Sequence, residues 1–403
     1  MKSEIELYAD EALESFLLRL SAGQGYERFA HFAEDIWHAT LGQHQAIPGA
    51  FPFELRRVNL YKAKVTSQMR VRVFIDLENQ LRLTNFGVLR LALSHSKSVF
   101  SPDYKAVNRD GIDYPHIFVR KRFTPVCPQC LALAPYIRQQ WQFVPYKACS
   151  IHQSQLLERC PSCNSLLDYQ SSELIEHCEC GFDLTQAQPG VASEAEKQVS
   201  RWLSGEAEFE QGIGRHALNV STRFGFLLWY VNRSGSAEKI NFDDFADYCN
   251  TWPKRLVLDL DSISKKSELI RIRPWNKIFF TEAFGPLLKD CRQLPSRNPA
   301  QNPVLGEVIS YLIRLVALHP KQRQPNIADV LLSILEVSTL LSCSTDEVHR
   351  LYQFGELKAE RIPKQRQRLA IHDSVFTLRS VIEIKLARMM SESDGLYRYL
   401  PEW

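Results

Sequence analysis

The chain has 403 residues, enough for two to four domains, and 45% of them are apolar, which fills real cores and excludes a disordered protein. Lys and Arg number 49 against 46 Asp and Glu, a net charge of +3, so there is no global field and a nucleic-acid or acidic partner must meet a local patch. No long apolar run suggests a membrane span, and Met1-Lys2-Ser3-Glu4 lacks the basic-then-apolar start of a signal sequence, so a cytoplasmic protein without membrane contact is expected.

From the start of the chain, Asp10 is placed to cap a helix in which Leu13, Phe16, Leu17 and Leu20 fall at i, i+3, i+4 and i+7, with Gly23 and Gly25 ending it. The spacing recurs at Phe29, Phe32, Ala33 and Ile36, before a loop at residues 47–52 rich in Pro and Gly. A third helix is expected from Thr84, carrying Val88, Leu89 and Ala92. Between them Arg56, Arg57, Lys62, Lys64, Arg70 and Arg72 face a lone Glu54. That strip reads equally as an ordinary solvated surface and as a contact for nucleic acid or an acidic partner.

The chemistry of the chain is concentrated between Cys127 and Cys180. Cys127-x2-Cys130 and Cys149-x2-His152 form one four-ligand set; Cys160-x2-Cys163 and Cys178-x-Cys180 form a second. A Cys-x2-Cys turn lets two thiolates converge on one tetrahedral ion, and a distant pair completes the shell. Pro128 and Pro161 pre-bend two of the turns, and Gly181 relaxes the last. A disulfide framework is disfavoured without a secretory signal, and scattered core cysteines would not repeat paired spacing. Eight ligands for two ions leave no open position, so two structural Zn2+ per chain are expected, with no catalytic role. The Cys-x-Cys gap is tight, and His177 stands as the substitute for Cys178. Cys249, Cys291 and Cys343 are left over and read as buried small hydrophobes.

Beyond this block, Ser193 to Glu210 reads as a connecting helix, and the aromatic residues from Phe224 to Tyr230 and from Phe242 to Trp252 read as core. Val304, Leu305, Val308, Ile309, Leu312 and Val316 form one helical stripe; Ile327, Val330, Leu331, Ile334 and Leu335 begin another. The segment Leu335–Leu341 runs through Ser342-Cys343-Ser344 into a helix with a Ser344/Glu347 capping box, carrying Val348, Leu351 and Tyr352 and stopping at Gly355. Two short helices across a short turn have helix-turn-helix spacing, with Lys358, Arg361, Lys364, Arg366 and Arg368 in the place of a basic wing. The first turn of the second helix nevertheless holds Asp346 and Glu347, which phosphate repels, so protein docking or dimerisation is expected of it instead of sequence reading. No phosphate-binding loop, His-Glu-x2-His or nucleophile elbow occurs, so an adaptor is expected and not an enzyme.

The segment Tyr8-Ala-Asp-Glu-Ala-Leu-Glu-Ser-Phe-Leu-Leu-Arg19 with Gly25-Tyr26, together with the cysteine block ending Cys178-Glu-Cys-Gly-Phe-Asp-Leu184, resembles the TniQ proteins of transposons. Asn59–Lys64, Ser200–Gly205, Leu305-Gly-Glu307 and Leu335–Lys358 are similar to the TniQ of type I-F CRISPR-associated transposons. The resemblance implies a transposition targeting adaptor: a head-to-tail homodimer on the crRNA-guided Cascade complex, at its crRNA-processing subunit and the adjoining backbone subunit. From there it would pass the target to the AAA+ regulator TnsC and the transposase, touching DNA indirectly. The alternatives are a TnsD-like sequence-specific target selector and a zinc-containing helix-turn-helix transcription regulator.

The expected fold is mainly α. It comprises an N-terminal helix-turn-helix-like module (1–110), a tandem zinc-finger, zinc-ribbon-like region (111–190), a helical aromatic-rich domain (191–295) and C-terminal helical helix-turn-helix modules (296–403).

Overall fold

The apolar positions expected at the start of the chain form the buried stripe of helix α1 (Leu13–Gly23), and those after Gly25 form that of α2 (Phe29–Gln43). Each fully buried Leu or Phe contributes about 1.5–3 kcal/mol, so these stripes decide where the helices lie. The computed structural model describes residues 5–43, 51–63, 67–83, 85–101, 104–234, 240–360 and 369–393. The chain divides into two compact units, one drawn from residues 1–99, 104–208 and 237–246, the other from 100–103, 209–236 and 247–403. Among the described residues no helix is long and apolar enough to cross a membrane.

In the first unit Asp10 does not cap α1. The N-cap is Ala12, without a side-chain bond, and the Asp10 carboxylate pairs instead with Arg138 and accepts from the Tyr136 hydroxyl at 2.9 Å. The start of α1 is held by the 137–139 segment: Ala12 N–H donates to the Ile137 carbonyl, and Ile137 N–H donates to Ser15 Oγ, both at 2.9 Å. The expected cap Thr84 lies outside the described residues, and the helix beyond it, α4 (Gly87–Leu91), is short. A longer helix, α3 (Ser67–Leu81), precedes it and buries Val73, Phe74 and Leu77. Its apolar positions are interleaved with Arg70 and Arg72, which drew the sequence reading towards a charged strip.

The strip is structural only in part: of its described cations Arg70 is buried, Arg56 and Arg57 are ion-paired, and Lys62 and Arg72 are exposed. Arg70 is buried and donates to the carbonyls of Arg57 (2.7 Å) and Asn59 (2.9 Å); Arg56 pairs with Asp168, and Arg57 pairs with Glu54 at 2.9 Å. Lys64 lies outside the described residues.

A buried carboxylate joins the layers of this unit. Glu14 on α1 accepts from Asn59 Nδ2 (2.6 Å), Gln170 Nε2 (3.1 Å) and Gln142 Nε2 (3.2 Å), and burial pushes its pKa up. Three donors satisfy a group that would otherwise be costly to bury.

A three-stranded sheet follows α4, in the order β1 (Ser94–Ser101), β2 (Tyr104–Arg109), β3 (Ile112–Pro115). The β2–β3 pair is antiparallel, with Arg109 opposite Ile112, and Asp110 and Gly111 turn the hairpin at φ of 47° and 82°. Asp-Gly is a hairpin signal with both central residues at positive φ, and it was available in the sequence. The cysteine block adds helix α5 (Pro128–Leu133), strands β4 (Ser154–Gln155) and β5 (Gly190–Val191), which pair antiparallel, and α6 (Tyr169–Ser172). The connecting helix is α7 (Glu194–Ser204), opened by a reciprocal Ser193/Glu196 capping box and closed by Gly205 at φ 84°.

In the second unit α8 (Val220–Ser234) and the later part of α9 (Phe242–Thr251) carry the aromatic block into the core as expected. Trp229 and Trp252 meet edge to face at 6.0 Å, and Phe226 meets Trp252 at 5.0 Å. Along α8, a Cβ on Gly225 would stand 3.1 Å from the Gln293 carbonyl oxygen, so a larger residue there would have to push that backbone back by a few tenths of an ångström. Helices α10 (Lys254–Ile270), α11 (Phe280–Phe284), α12 (Leu287–Asp290) and α13 (Pro303–Leu318) follow. Asn302 caps α13 by accepting from Leu305 N–H, with Pro303 in its first turn.

The stripe expected from Ile327 is not one helix. Residues Leu331–Ser333 form strand β6, antiparallel to β7 (Ser374–Thr377), and α14 (Ile334–Leu341) starts only after Ser333, where Ser333 and Glu336 make a reciprocal capping box. A short apolar run fits either period, and here the cap sets the boundary. Ser342 at φ 56°, Cys343 and Ser344 connect α14 to α15 (Thr345–Gln353). Only half of the expected box at Ser344 forms. Ser344 Oγ accepts from Glu347 N–H at 3.1 Å, but the Glu347 carboxylate turns away to Arg388 Nη2, also 3.1 Å, on α16 (Leu378–Ser393). The basic-wing residues Arg361, Lys364, Arg366 and Arg368 lie outside the described residues. Cys249, Cys291 and Cys343 are all buried.

Candidate metal centres

Each ligand pair rests on a turn whose backbone aims two side chains inward. Cys127 is the N-cap of α5 and Pro128 its first residue, so the helix start delivers Cys127 and Cys130 to one side. The segment before it is anchored by reciprocal Val126–Leu157 backbone bonds at 3.0 and 2.8 Å. In the second pair Cys149 N–H donates to the Ser154 carbonyl, Gln153 N–H donates back to the Cys149 carbonyl, both at 2.8 Å, and Gln153 takes φ 54°. The third pair repeats this closure: Cys160 N–H to Ser165 O and Asn164 N–H to Cys160 O, both 2.9 Å, with Asn164 at φ 60°. The fourth is one residue shorter. Cys178 N–H donates to Phe182 O, Gly181 N–H donates to Cys178 O at 2.8 Å, and Gly181 takes φ 86°. A left-handed residue closes the turn in all three cases, and at the tightest one glycine adopts it without steric cost.

These turns bring the eight residues into two sets. Cys127, Cys130, Cys149 and His152 form one and Cys160, Cys163, Cys178 and Cys180 the other, with the ligand atoms of each set within 4.8 Å of one another. His177 belongs to neither set, so Cys178 is the residue the fold delivers. Its neighbour instead forms a backbone bridge with Asp183.

The donor sets fit a tetrahedral ion. Metal–sulfur bonds of about 2.3 Å at tetrahedral angles separate the sulfurs by about 3.8 Å, with sulfur–nitrogen edges a little shorter. Cys130 and Cys149 Sγ are 3.5 Å apart, and His152 Nδ1 lies 3.2 Å from Cys130, 3.5 Å from Cys127 and 3.7 Å from Cys149 Sγ. In the second set Cys160–Cys180 is 3.7 Å and Cys163–Cys178 is 3.6 Å. A disulfide needs about 2.05 Å, and all ten cysteines are free. Hydrogen bonding with Cys127 pushes the Cys130 thiol well up, the behaviour of crowded thiols that cannot all ionise together; a divalent cation at their centre reverses it.

The surroundings of the two sets differ. Cys127, Cys130 and Cys149 are buried and His152 is half-buried, whereas in the second set Cys160 and Cys178 are buried but Cys163 and Cys180 are exposed. Around the first, Ser154 Oγ lies 3.7 Å from Cys127 Sγ and donates to Gln129 Oε1 at 3.4 Å, while Ser200 Oγ on α7 accepts from Ala148 N–H at 3.2 Å. These outer residues orient the ligand turn, and no spacing rule pointed to them. Around the second, Cys163 is pushed down to about 6, first by its hydrogen bond with Ser165.

Residues 3–156 match the TniQ family model. The TniQ match takes in the whole first set and ends before Cys160, so the second set lies beyond it. No curated protein matches the chain.

Proposed function

We propose that the protein is a transposition targeting adaptor whose two cysteine sets each hold one structural Zn2+. The TniQ match over residues 3–156, with a closed four-ligand set inside it, carries the reading. Zinc supplies no reaction here. A set of three thiolates and an imidazole, or of four thiolates, fills the shell of a tetrahedral ion and suits zinc by its softness.

In this reading the chain works in the cytoplasm without catalysis, as a homodimer. It engages the Cascade complex at the crRNA-processing subunit and the adjoining backbone subunit, and hands the recognised target to TnsC. The α14–turn–α15 pair acts as a helix-turn-helix docking element and not as a base reader. Glu347, in the turn that would face DNA, is held by Arg388 at 3.1 Å and so is not free to reach a base edge. The four-segment division at 110, 190 and 295 remains our working assignment of roles.

The test is size-exclusion chromatography and gel shift with and without crRNA-loaded Cascade. Co-elution with Cascade, together with no preference for one DNA sequence by the protein alone, is expected. Tight binding of the isolated protein to one DNA sequence at physiological salt would overturn the docking role in favour of a direct target selector or a transcription regulator.

A further inference from the structure

Among the cations at residues 54–72, Arg70 is buried and Arg56 and Arg57 are ion-paired, but Lys62 is exposed and belongs to a second group. Lys62 ends a 3-10 turn (Leu60–Lys62), His95 lies on β1, Lys105 on β2, His116 in the turn after β3, and Lys121 just beyond. The register that sets Ala106 opposite Pro115 brings Lys105 alongside His116. The Tyr61 ring meets the His116 ring edge-on at 5.7 Å, and Lys62 Nζ sits 5.1 Å from the centre of Tyr61.

The three lysines and two histidines are all exposed, and none has an ion pair among the described residues. The His116 ring is partly covered, and that desolvation, followed by the like charges of Lys62, Lys121, His95 and Lys105, holds it below its ordinary range. Like charges gathered around one imidazole destabilise the compact state unless a polyanion relieves them.

We propose that this face of the first unit binds the phosphate backbone of a polynucleotide, independently of sequence. Phosphates spaced along a strand suit cations on three neighbouring segments, and the Tyr61–His116 pair among them offers ring surface to a base, which an acidic peptide would not use. The proposal goes beyond the adaptor reading, which needs only indirect contact with DNA, and it stands or falls separately from it.

The test is fluorescence anisotropy of the full zinc-loaded chain with labelled single-stranded RNA, single-stranded DNA of the same sequence and duplex DNA, between about 50 and 200 mM salt. The RNA and DNA arms distinguish the source of the backbone. In Lys105→Glu/Lys121→Glu, affinity should fall about tenfold or more at the low-salt end, and the slope of log K against log salt on single strands should shrink by about 1.4, two contacts at about 0.7 each. Lys265→Glu/Lys266→Glu, exposed on α10, should change neither. If the double variant loses its wild-type thermal melt, Lys105→Gln carries the test with a loss of about threefold. Equal affinity in the folded variant, an equal loss in the α10 control, or tighter binding to polyglutamate than to any polynucleotide would overturn the proposal.

Discussion

The two ligand sets are built from the same local device and differ in what surrounds them. The first is walled in: three of its four ligands are buried, α5 and β4 lead into it, and Ser200 reaches across from α7 to hold the backbone beside Cys149. The second has Cys163 and Cys180 open to solvent and rests on turns closed by Asn164 and Gly181. Two related donor sets, one of three cysteines and a histidine and one of four cysteines, therefore sit in different surroundings. Where the shell is also core, an ion held there would fold with the unit; where half the shell is exposed, an ion would secure mainly its own loops.

The largest effect that could break this comparison comes from removing one ligand at each site. Cys130→Ser should release the first ion and leave thiolates inside the core, removing binding free energy on the order of 10 kcal/mol and with it soluble protein. Cys163→Ser should release the second ion but leave a cooperative melt. Metal analysis alongside circular dichroism decides, and equal damage from both would erase the distinction.

Chelation sharpens it next. With excess chelator and a metallochromic dye, one ion per chain should leave rapidly and the other only at the rate of unfolding, and the fast phase should be absent in Cys163→Ser. A single phase for both ions would show that exposure does not govern release.

Ser200→Ala is expected to cost about 1–3 kcal/mol, because the buried Ala148 N–H loses its acceptor. The lowered melting temperature should come with faster loss of the slow ion alone. Smallest of all, Gly181→Ala meets no atom within 4 Å and pays only for its positive φ, about 1 kcal/mol, felt in the affinity of the exposed site. If it weakened the buried site equally, the two would not be independent.

How much of this was legible depends on how far apart the causes lie along the chain. The gathering of the eight candidate ligands into two sets was readable because each pair is separated by one or two residues, and Cys178 is brought in over His177 by the short turn at Gly181. The buried faces of α1, α2 and α13 were readable for the same reason: one helical period is a local repeat. The β2–β3 hairpin was announced by Asp110-Gly111 but went unread, and α3 was hidden because its apolar positions alternate with arginines.

Side-chain destinations were a different matter. Asp10 had the composition of a cap but is taken by Arg138, Glu347 half-makes a box and then reaches Arg388, and Arg70 vanishes into backbone carbonyls. By itself the sequence determined which residues can ligate a metal and which faces must be buried, since both follow from spacing within a turn or two. Tertiary structure alone decided which shell is mostly buried and which is half exposed, and where each cation finds its partner. Burial and pairing are set by neighbours that arrive from tens of residues away, and no local spacing encodes them.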